Sequence, residues 1–142
     1  MFISEKNKKT LLRIIVAYVG ITAFIALFGV IYESFSHNVY SFWMYFAWIW
    51  VLIFGLIPHV VFYFLPIKRI PGLLSGCFYN LGAALFTSGS IYRGVVDIYG
   101  TNRIEMFTAY MIIAVICLVT GIALYGVGFS LNKNTNQEEI KE

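Results

Sequence analysis

The chain has 142 residues, of which 60% are hydrophobic and 12% are charged, and its formal net charge is +3. Soluble proteins carry roughly 45–50% apolar and about 25% charged residues. With so few charges, a water-soluble surface would expose apolar patches far above a few hundred Å². The composition argues against a soluble enzyme, a disordered chain and a disulfide scaffold, and it indicates a protein that lies in a lipid bilayer.

Four long apolar runs follow one another along the chain, at residues 14–32, 42–65, 71–92 and 106–129. A membrane-spanning helix needs about 20 residues, and backbone groups in hydrocarbon must be satisfied within the segment. The runs predict helices at about 12–32, 41–65, 71–98 and 103–130, with a polar cytoplasmic tail at 132–142. We expect an all-α fold, a single four-helix antiparallel transmembrane bundle.

The basic residues predict the orientation of these helices. They are Lys6, Lys8, Lys9, Arg13, Lys68, Arg69, Arg93, Arg103, Lys133 and Lys141. All but Arg93 and Arg103 lie before the first run, between the second and third, or after the fourth, which places both termini in the cytoplasm of a cell-membrane protein. The basic residues form no clustered footprint for nucleic acid, so the expected partner is the bilayer.

The connections between the runs are short. The segment from Pro66 to Pro71 predicts a tight cytoplasmic turn, which makes the second and third helices an antiparallel hairpin. Gly100 is expected to end the third helix, and Asn102 to cap the fourth with Glu105 three residues further on.

One face of the predicted third helix consists of small residues and one amide at every fourth position. This small-residue face is formed by Gly72, Gly76, Asn80, Ala84 and Ser88. Small residues at this spacing let two helix backbones approach closely in lipid. The face predicts a helix-packing seam, either within the chain or between copies of it.

The candidate intramembrane site is formed by His59 and Asn80. Pro58 leaves the carbonyl of Phe54 without its helical donor, next to the His59 ring. His59 and Asn80 lie roughly 9 and 13 Å from the cytoplasmic boundary at 1.5 Å per residue. Polar residues at such depth are hypotheses of function. Two interpretations stay open, a structural hydrogen bond across the hairpin and a site for a ligand, proton or ion.

Tyr63 and Tyr79 are further candidates for the same intramembrane cluster. On the other side of the membrane, Arg93 and Asp97 are four residues apart and share a helix face. Glu33 and His37 flank them. These four residues form the candidate extracytoplasmic site, either an ion pair that ends the third helix or a site for a polar headgroup, an anion or a partner domain.

Specific catalytic and cofactor chemistries have no support in the sequence. Cys77 and Cys117 lie inside apolar runs and form no C-x-x-C motif, so neither a metal nor a redox site is expected. His37 and His59 lie at different depths, which opposes a haem held by two histidines. No metalloprotease motif or nucleophile elbow is present. We expect no cofactor and a non-enzymatic protein.

Three segments resemble those of small four-span membrane proteins of Gram-positive bacteria. They are Tyr32-Glu33-Ser34-Phe35-Ser36-His37, Tyr79-Asn80 and Ile98-Tyr99-Gly100-Thr101. The resemblance implies a four-helix integral membrane protein and carries no mechanism or site residue.

Three functions follow as hypotheses. The first is a membrane protein that binds a small ligand or serves as an accessory subunit of a transport or envelope complex. The second is a small homo-oligomeric transporter or channel, and the third is a redox subunit that binds haem or quinone. Because the chain has little extramembrane mass, we expect a second copy or another membrane protein as its partner.

Overall fold

The structure is a computed structural model that describes residues 5–36, 39–64, 72–101 and 104–138. The predictions for His37, the turn from Pro66 to Pro71, Asn102 and Arg103 lie outside the described residues. All regular structure in the described ranges is helical. The helices are α1 (Glu5–Ser34), α2 (Phe42–Tyr45), α3 (Ala47–Trp50), a π-helical turn (Val51–Leu56), α4 (Ile57–Phe64), α5 (Leu73–Tyr99) and α6 (Ile104–Glu138).

Three helical segments of the described chain are long and apolar enough to cross a membrane, namely Lys8–Ser34, Ala47–Phe64 and Ile104–Gly128. They indicate an all-helical membrane protein. Helix α5, which covers most of the third predicted span, has 27 residues and the length to cross. It is less apolar than the other three because Gly, Ser, Thr and Asn residues recur along it.

Helices α1 and α6 are longer than the sequence predicted. Helix α1 begins at Glu5 rather than near residue 12, and α6 continues to Glu138, into the predicted polar tail. Neither extension contains proline or glycine, and adding residues to an existing helix costs little compared with starting one.

The second predicted span is broken into pieces. Phe46 separates α2 from α3 with φ −99° and ψ 9°, outside the usual helical values. The π-helical turn then ends immediately before the turn that contains Pro58. Because proline has no N–H and its ring clashes with the carbonyl four residues earlier, the backbone before Pro58 cannot follow a regular helix. A widened turn is one way to accommodate that clash.

Helices α5 and α6 pack along a line of small residues with a spacing of seven. Ser75, Gly82 and Gly89 of α5 are buried, as are Ala114 and Gly121 of α6. A Cβ on Gly82 would lie 2.7 Å from the Leu118 Cγ and 2.8 Å from the Leu118 N. Ser75 Oγ donates a hydrogen bond of 2.7 Å to the Gly121 carbonyl. The missing side chains thus permit direct backbone contact, as in other closely packed membrane helices.

Three helices cross at Met44, which is only 1% exposed. A Cβ on Gly29 of α1 would lie 3.1 Å from the Met44 carbonyl oxygen, and one on Gly94 of α5 would lie 2.8 Å from its nitrogen. On the same stretch of α5, Ser90 Oγ donates a hydrogen bond to the Trp43 carbonyl. Helix α2 is therefore held between α1 and α5.

Helix α5 ends at Gly100, as the sequence predicts. Gly100 has φ 76°, a left-handed conformation in which a side chain would be strained. Its N–H and that of Thr101 donate to the carbonyls of Asp97 and Val96. These bonds satisfy carbonyls that the end of a helix leaves open.

Candidate functional site

A cavity of about 340 Å³ lies at the end of the molecule that holds the start of α1 and the last turns of the apolar part of α6, the end predicted to face the cytoplasm. Four helices contribute to it. The described residues that line this inner cavity are Leu11, Ile14, Pro58, His59, Phe62, Ser75, Gly76, Tyr79, Asn80, Gly121, Ile122 and Tyr125. Its volume falls within the range of about 300–1,000 Å³ of small-molecule pockets. The inner cavity therefore brings His59 and Asn80 to one site.

The cavity exists because α4 separates from the α5–α6 pair. The segments just before it, α3 and the π-helical turn, both pack on α5. In the described residues, no Cα atom of α4 comes within 8 Å of one in α5 or α6, and α4 packs on α1. Phe62 of α4 still reaches α6, where the centre of its ring lies 5.8 Å from the centre of the Tyr125 ring. The change of direction thus leaves a space that these two rings border.

His59 is held by two neighbours. Its Nδ1 lies 2.6 Å from the Gly55 carbonyl oxygen in the π-helical turn, and the centre of its ring lies 5.1 Å from the centre of the Tyr18 ring. A carbonyl oxygen only accepts hydrogen bonds, so Nδ1 carries the hydrogen. In the neutral ring, Nε2 is then an acceptor. The turn before Pro58 thereby fixes both the position and the tautomer of His59.

Asn80 is held by the same tyrosine. The Tyr18 hydroxyl donates a hydrogen bond of 2.9 Å to Asn80 Oδ1, which joins α1 to α5. The Asn80 side-chain nitrogen contacts no acceptor among the described residues, so it keeps two N–H donors. Tyr18 therefore contacts both predicted site residues, and within the described residues no hydrogen bond joins His59 to Asn80 directly.

Tyr18 has a defined place because Gly55 has no side chain. A Cβ on Gly55 would overlap the Tyr18 ring at Cε1 and Cδ1. This role could not be predicted from the sequence, since a tyrosine in an apolar run resembles any packing residue. Of the two tyrosines that the sequence added to the cluster, Tyr79 lines the cavity and Tyr63 is not among its described lining residues.

Three of the four candidates that were predicted to lie outside the cytoplasm, Glu33, Arg93 and Asp97, form a second polar group around Ser41. Arg93 Nη2 lies 3.0 Å from Asp97 Oδ1, an ion pair within α5. The Ser41 hydroxyl donates to Asp97 Oδ2 at 3.0 Å, and the Ser41 N–H donates to Glu33 Oε1 at 3.4 Å. We call Glu33, Ser41, Arg93 and Asp97 the outer cluster. It connects the end of α1, the start of α2 and the last turns of α5.

The outer cluster is largely packed against other residues. Glu33 and Ser41 are 8% and 3% exposed, and the Arg93 guanidinium lies 6.0 Å from the centre of the Phe107 ring. Arg93 Nη1 is buried and meets no acceptor in the part of the chain that the structure describes. These contacts fit a structural lock between helices.

The small-residue face makes no seam within the described chain. Gly72, Asn80, Ala84 and Ser88 are exposed, and a Cβ on Gly72 or Gly76 would meet no atom within 4 Å. Gly76 and Asn80 line the inner cavity instead. Helix α6 occupies the neighbouring face with Ser75, Gly82 and Gly89. A seam between copies of the chain stays a prediction.

No group of three or more metal-binding side chains occurs among the described residues. Cys77 is exposed on α5 and Cys117 is buried on α6, and both are free thiols. Comparisons with protein-family models, with curated proteins and with solved structures each found no match.

Proposed function

We propose that the chain is a non-enzymatic integral membrane protein of four spans, with both termini in the cytoplasm, which binds a small ligand in the inner cavity. The observation that carries the proposal is the cavity itself. It combines mostly apolar walls with His59 and Asn80, two polar residues whose side chains are positioned by other residues. Pockets for small molecules have this composition, with few polar groups that fix the orientation of the ligand.

The placement of α5 across the membrane is part of the proposal. Its 27 residues extend about 40 Å at 1.5 Å per residue, enough to cross the hydrocarbon core. Several of its small and polar residues pack against other helices, Ser75 and Gly82 against α6 and Ser90 and Gly94 against α2, which supports a span that is less apolar than its neighbours.

The ligand proposal is tested by native mass spectrometry of the protein released from mild detergent. Gly76→Leu is expected to fill the cavity without a clash, since nothing lies within 4 Å of its Cβ. Gly20→Leu is the matched control, because Gly20 is also helical with open space beside it and does not line the cavity. We expect a retained small-molecule mass in the wild type and in Gly20→Leu, and its loss in Gly76→Leu. Equal retention in both variants would contradict the proposal.

A second candidate function is a homo-oligomeric transporter or channel. It is favoured by the exposure of Asn80, Ala84 and Ser88, which leaves part of the small-residue face available to a second copy. The same mass spectra test it with Ala84→Leu. An oligomer that Ala84→Leu dissociates supports this function, and a monomeric wild type contradicts it.

A further inference from the structure

The charge of the residues that line the inner cavity limits which ligand head group the cavity can accept. This step rests on the proposed function, because it concerns the ligand of the same site. Of the described residues that line the cavity, none is Lys, Arg, Asp or Glu. An ion buried among such residues would lose its hydration without gaining a counter-charge, at a cost of several kcal/mol or more. A charged ligand is therefore disfavoured.

The side chains of His59 and Asn80 complement each other as hydrogen-bonding groups. With Nδ1 of His59 bonded to the Gly55 carbonyl, Nε2 of the neutral ring accepts a hydrogen bond. With Oδ1 of Asn80 bonded to Tyr18, the amide nitrogen donates. Helix α4 thus supplies an acceptor through His59, and α5 supplies a donor through Asn80. Tyr18 contacts both residues. A hydroxyl group satisfies this pair, because it donates one hydrogen bond and accepts another.

The walls define the rest of the ligand. Leu11, Ile14, Phe62 and Ile122 are apolar, and they come from three different helices. At about 340 Å³ the cavity is near the lower end of the pocket range, so it accommodates part of an alkyl chain or a single ring. A membrane-dissolved molecule with one polar head has this shape.

We infer that the inner cavity binds an uncharged, membrane-soluble alcohol, whose hydroxyl donates to His59 Nε2 and accepts from the Asn80 amide, with its alkyl chain against the apolar walls. The selectivity lies in the head group. An ether of equal length can accept from Asn80 but leaves His59 Nε2 without a donor, and a carboxylate or quaternary ammonium brings an unpaired charge.

The test uses the full chain in lipid nanodiscs and four probes of equal chain length: dodecan-1-ol, dodecyl methyl ether, dodecanoate and dodecyltrimethylammonium. Binding is measured by native mass spectrometry, which identifies each probe by its mass. We expect the alcohol to bind about five- to tenfold more tightly than the ether, the difference that one hydrogen bond makes, and both ions to bind more weakly still.

Variants assign this selectivity to residues. His59→Phe keeps an aromatic ring beside Tyr18 and removes the acceptor, so the alcohol and the ether are expected to bind equally. Asn80→Leu is expected to weaken both probes alike. Tyr18→Phe is the control for Asn80→Leu, because it removes the same Tyr18–Asn80 bond and keeps the amide donors. It should preserve the preference for the alcohol.

Each outcome separates this inference from the proposed function. If the wild type binds none of the probes, the inferred alcohol is wrong, and the retained mass in the native spectra still decides the proposed function. If Gly76→Leu binds the probes as well as Gly20→Leu does, the inner cavity is refuted as their binding site. If the probes bind in the cavity but an ion or the ether equals the alcohol, the cavity stands and the inferred head group is wrong. A preference for the alcohol that survives in His59→Phe also overturns the inference.

Discussion

Ser41 shows how much one small side chain can join. Its hydroxyl donates to Asp97 of α5 and its N–H donates to Glu33 of α1, so one residue at the start of α2 connects two other helices. This role of Ser41 could not be predicted from the sequence, because a serine before a helix is expected to be a cap. Its side chain makes no capping hydrogen bond and bonds Asp97 instead.

We expect Ser41→Ala to lower the free energy of unfolding by about 1–2 kcal/mol, since Asp97 loses a donor to its charged group. Unfolding in mild detergent, followed by circular dichroism, measures the change. Ser34→Ala is the control, because Ser34 is exposed and its hydroxyl bonds only the Val30 carbonyl of its own helix. Equal destabilisation by the two variants would show that the outer cluster does not lock the helices.

Gly55 and Tyr18 are in direct steric contact next to His59, which lines the inner cavity. A methyl group on Gly55 overlaps the Tyr18 ring, so Gly55→Ala is expected to displace Tyr18 and break its bond to Asn80. Tyr18→Ala removes the ring and makes room for that methyl group.

The double variant Gly55→Ala/Tyr18→Ala should therefore be less destabilised than the sum of the single variants, by about 0.5–3 kcal/mol, as for residues in direct contact. Thermal unfolding of the three variants and the wild type measures this difference. Additive effects would mean that Tyr18 moves aside freely and does not organise the site.

At the scale of elements, the sequence predicted the helices better than their contacts. Apolar length is a property of each run alone, so the helical segments could be predicted from it directly. The end of α5 could be predicted because a glycine at this position favours the left-handed conformation that ends a helix. The choice of packing face depends on two helices together. Both the small-residue face and the line of Ser75, Gly82 and Gly89 lie on α5, but only the second faces the matching small residues Ala114 and Gly121.

The cavity could be predicted only in part from the sequence, because it also depends on contacts between helices. Comparing depths along the hairpin brought His59 and Asn80 to the same region of the membrane, and Pro58 indicated an irregular backbone. The separation of α4 from α5 and the position of Tyr18 depend on three-dimensional packing, which no spacing along one helix encodes.

Gly82→Ala tests the α5–α6 contact. Its Cβ would meet the backbone nitrogen of Leu118 and the carbonyl oxygen of Ala114, so the two helices must separate, and we expect a loss of about 1–3 kcal/mol in unfolding free energy. Gly20→Ala is the matched control with open space around its Cβ, and it should be neutral or stabilising by up to about 1 kcal/mol. Thermal unfolding in detergent measures both. A neutral Gly82→Ala would contradict the close approach.

At the scale of the whole molecule, α5 decides the topology. If it crosses the bilayer together with the three more apolar segments, both termini lie on one side, and if it does not, they lie on opposite sides. The prediction is tested in a cysteine-free chain, Cys77→Ala/Cys117→Ala, that carries one new cysteine at a time.

We expect a membrane-impermeant maleimide to label Thr101→Cys in intact cells, and to label Ser4→Cys and Thr135→Cys only after the membrane is permeabilised. Labelling all three in permeabilised cells is the control for reactivity. If one terminal cysteine reacts in intact cells and the other does not, the chain does not have four spans.

The crossing of three helices at Met44 has a mechanical consequence. The helices are in close contact at Met44 and at the outer cluster. At the other end of the molecule, α4 has no close backbone contact with α5 in the described residues. We expect α4 to move more freely relative to α5 and α6 than the residues around Met44 do, within the limit set by the short connection between α4 and α5. A ligand would then reach the inner cavity from the side, where α4 is separated from the α5–α6 pair.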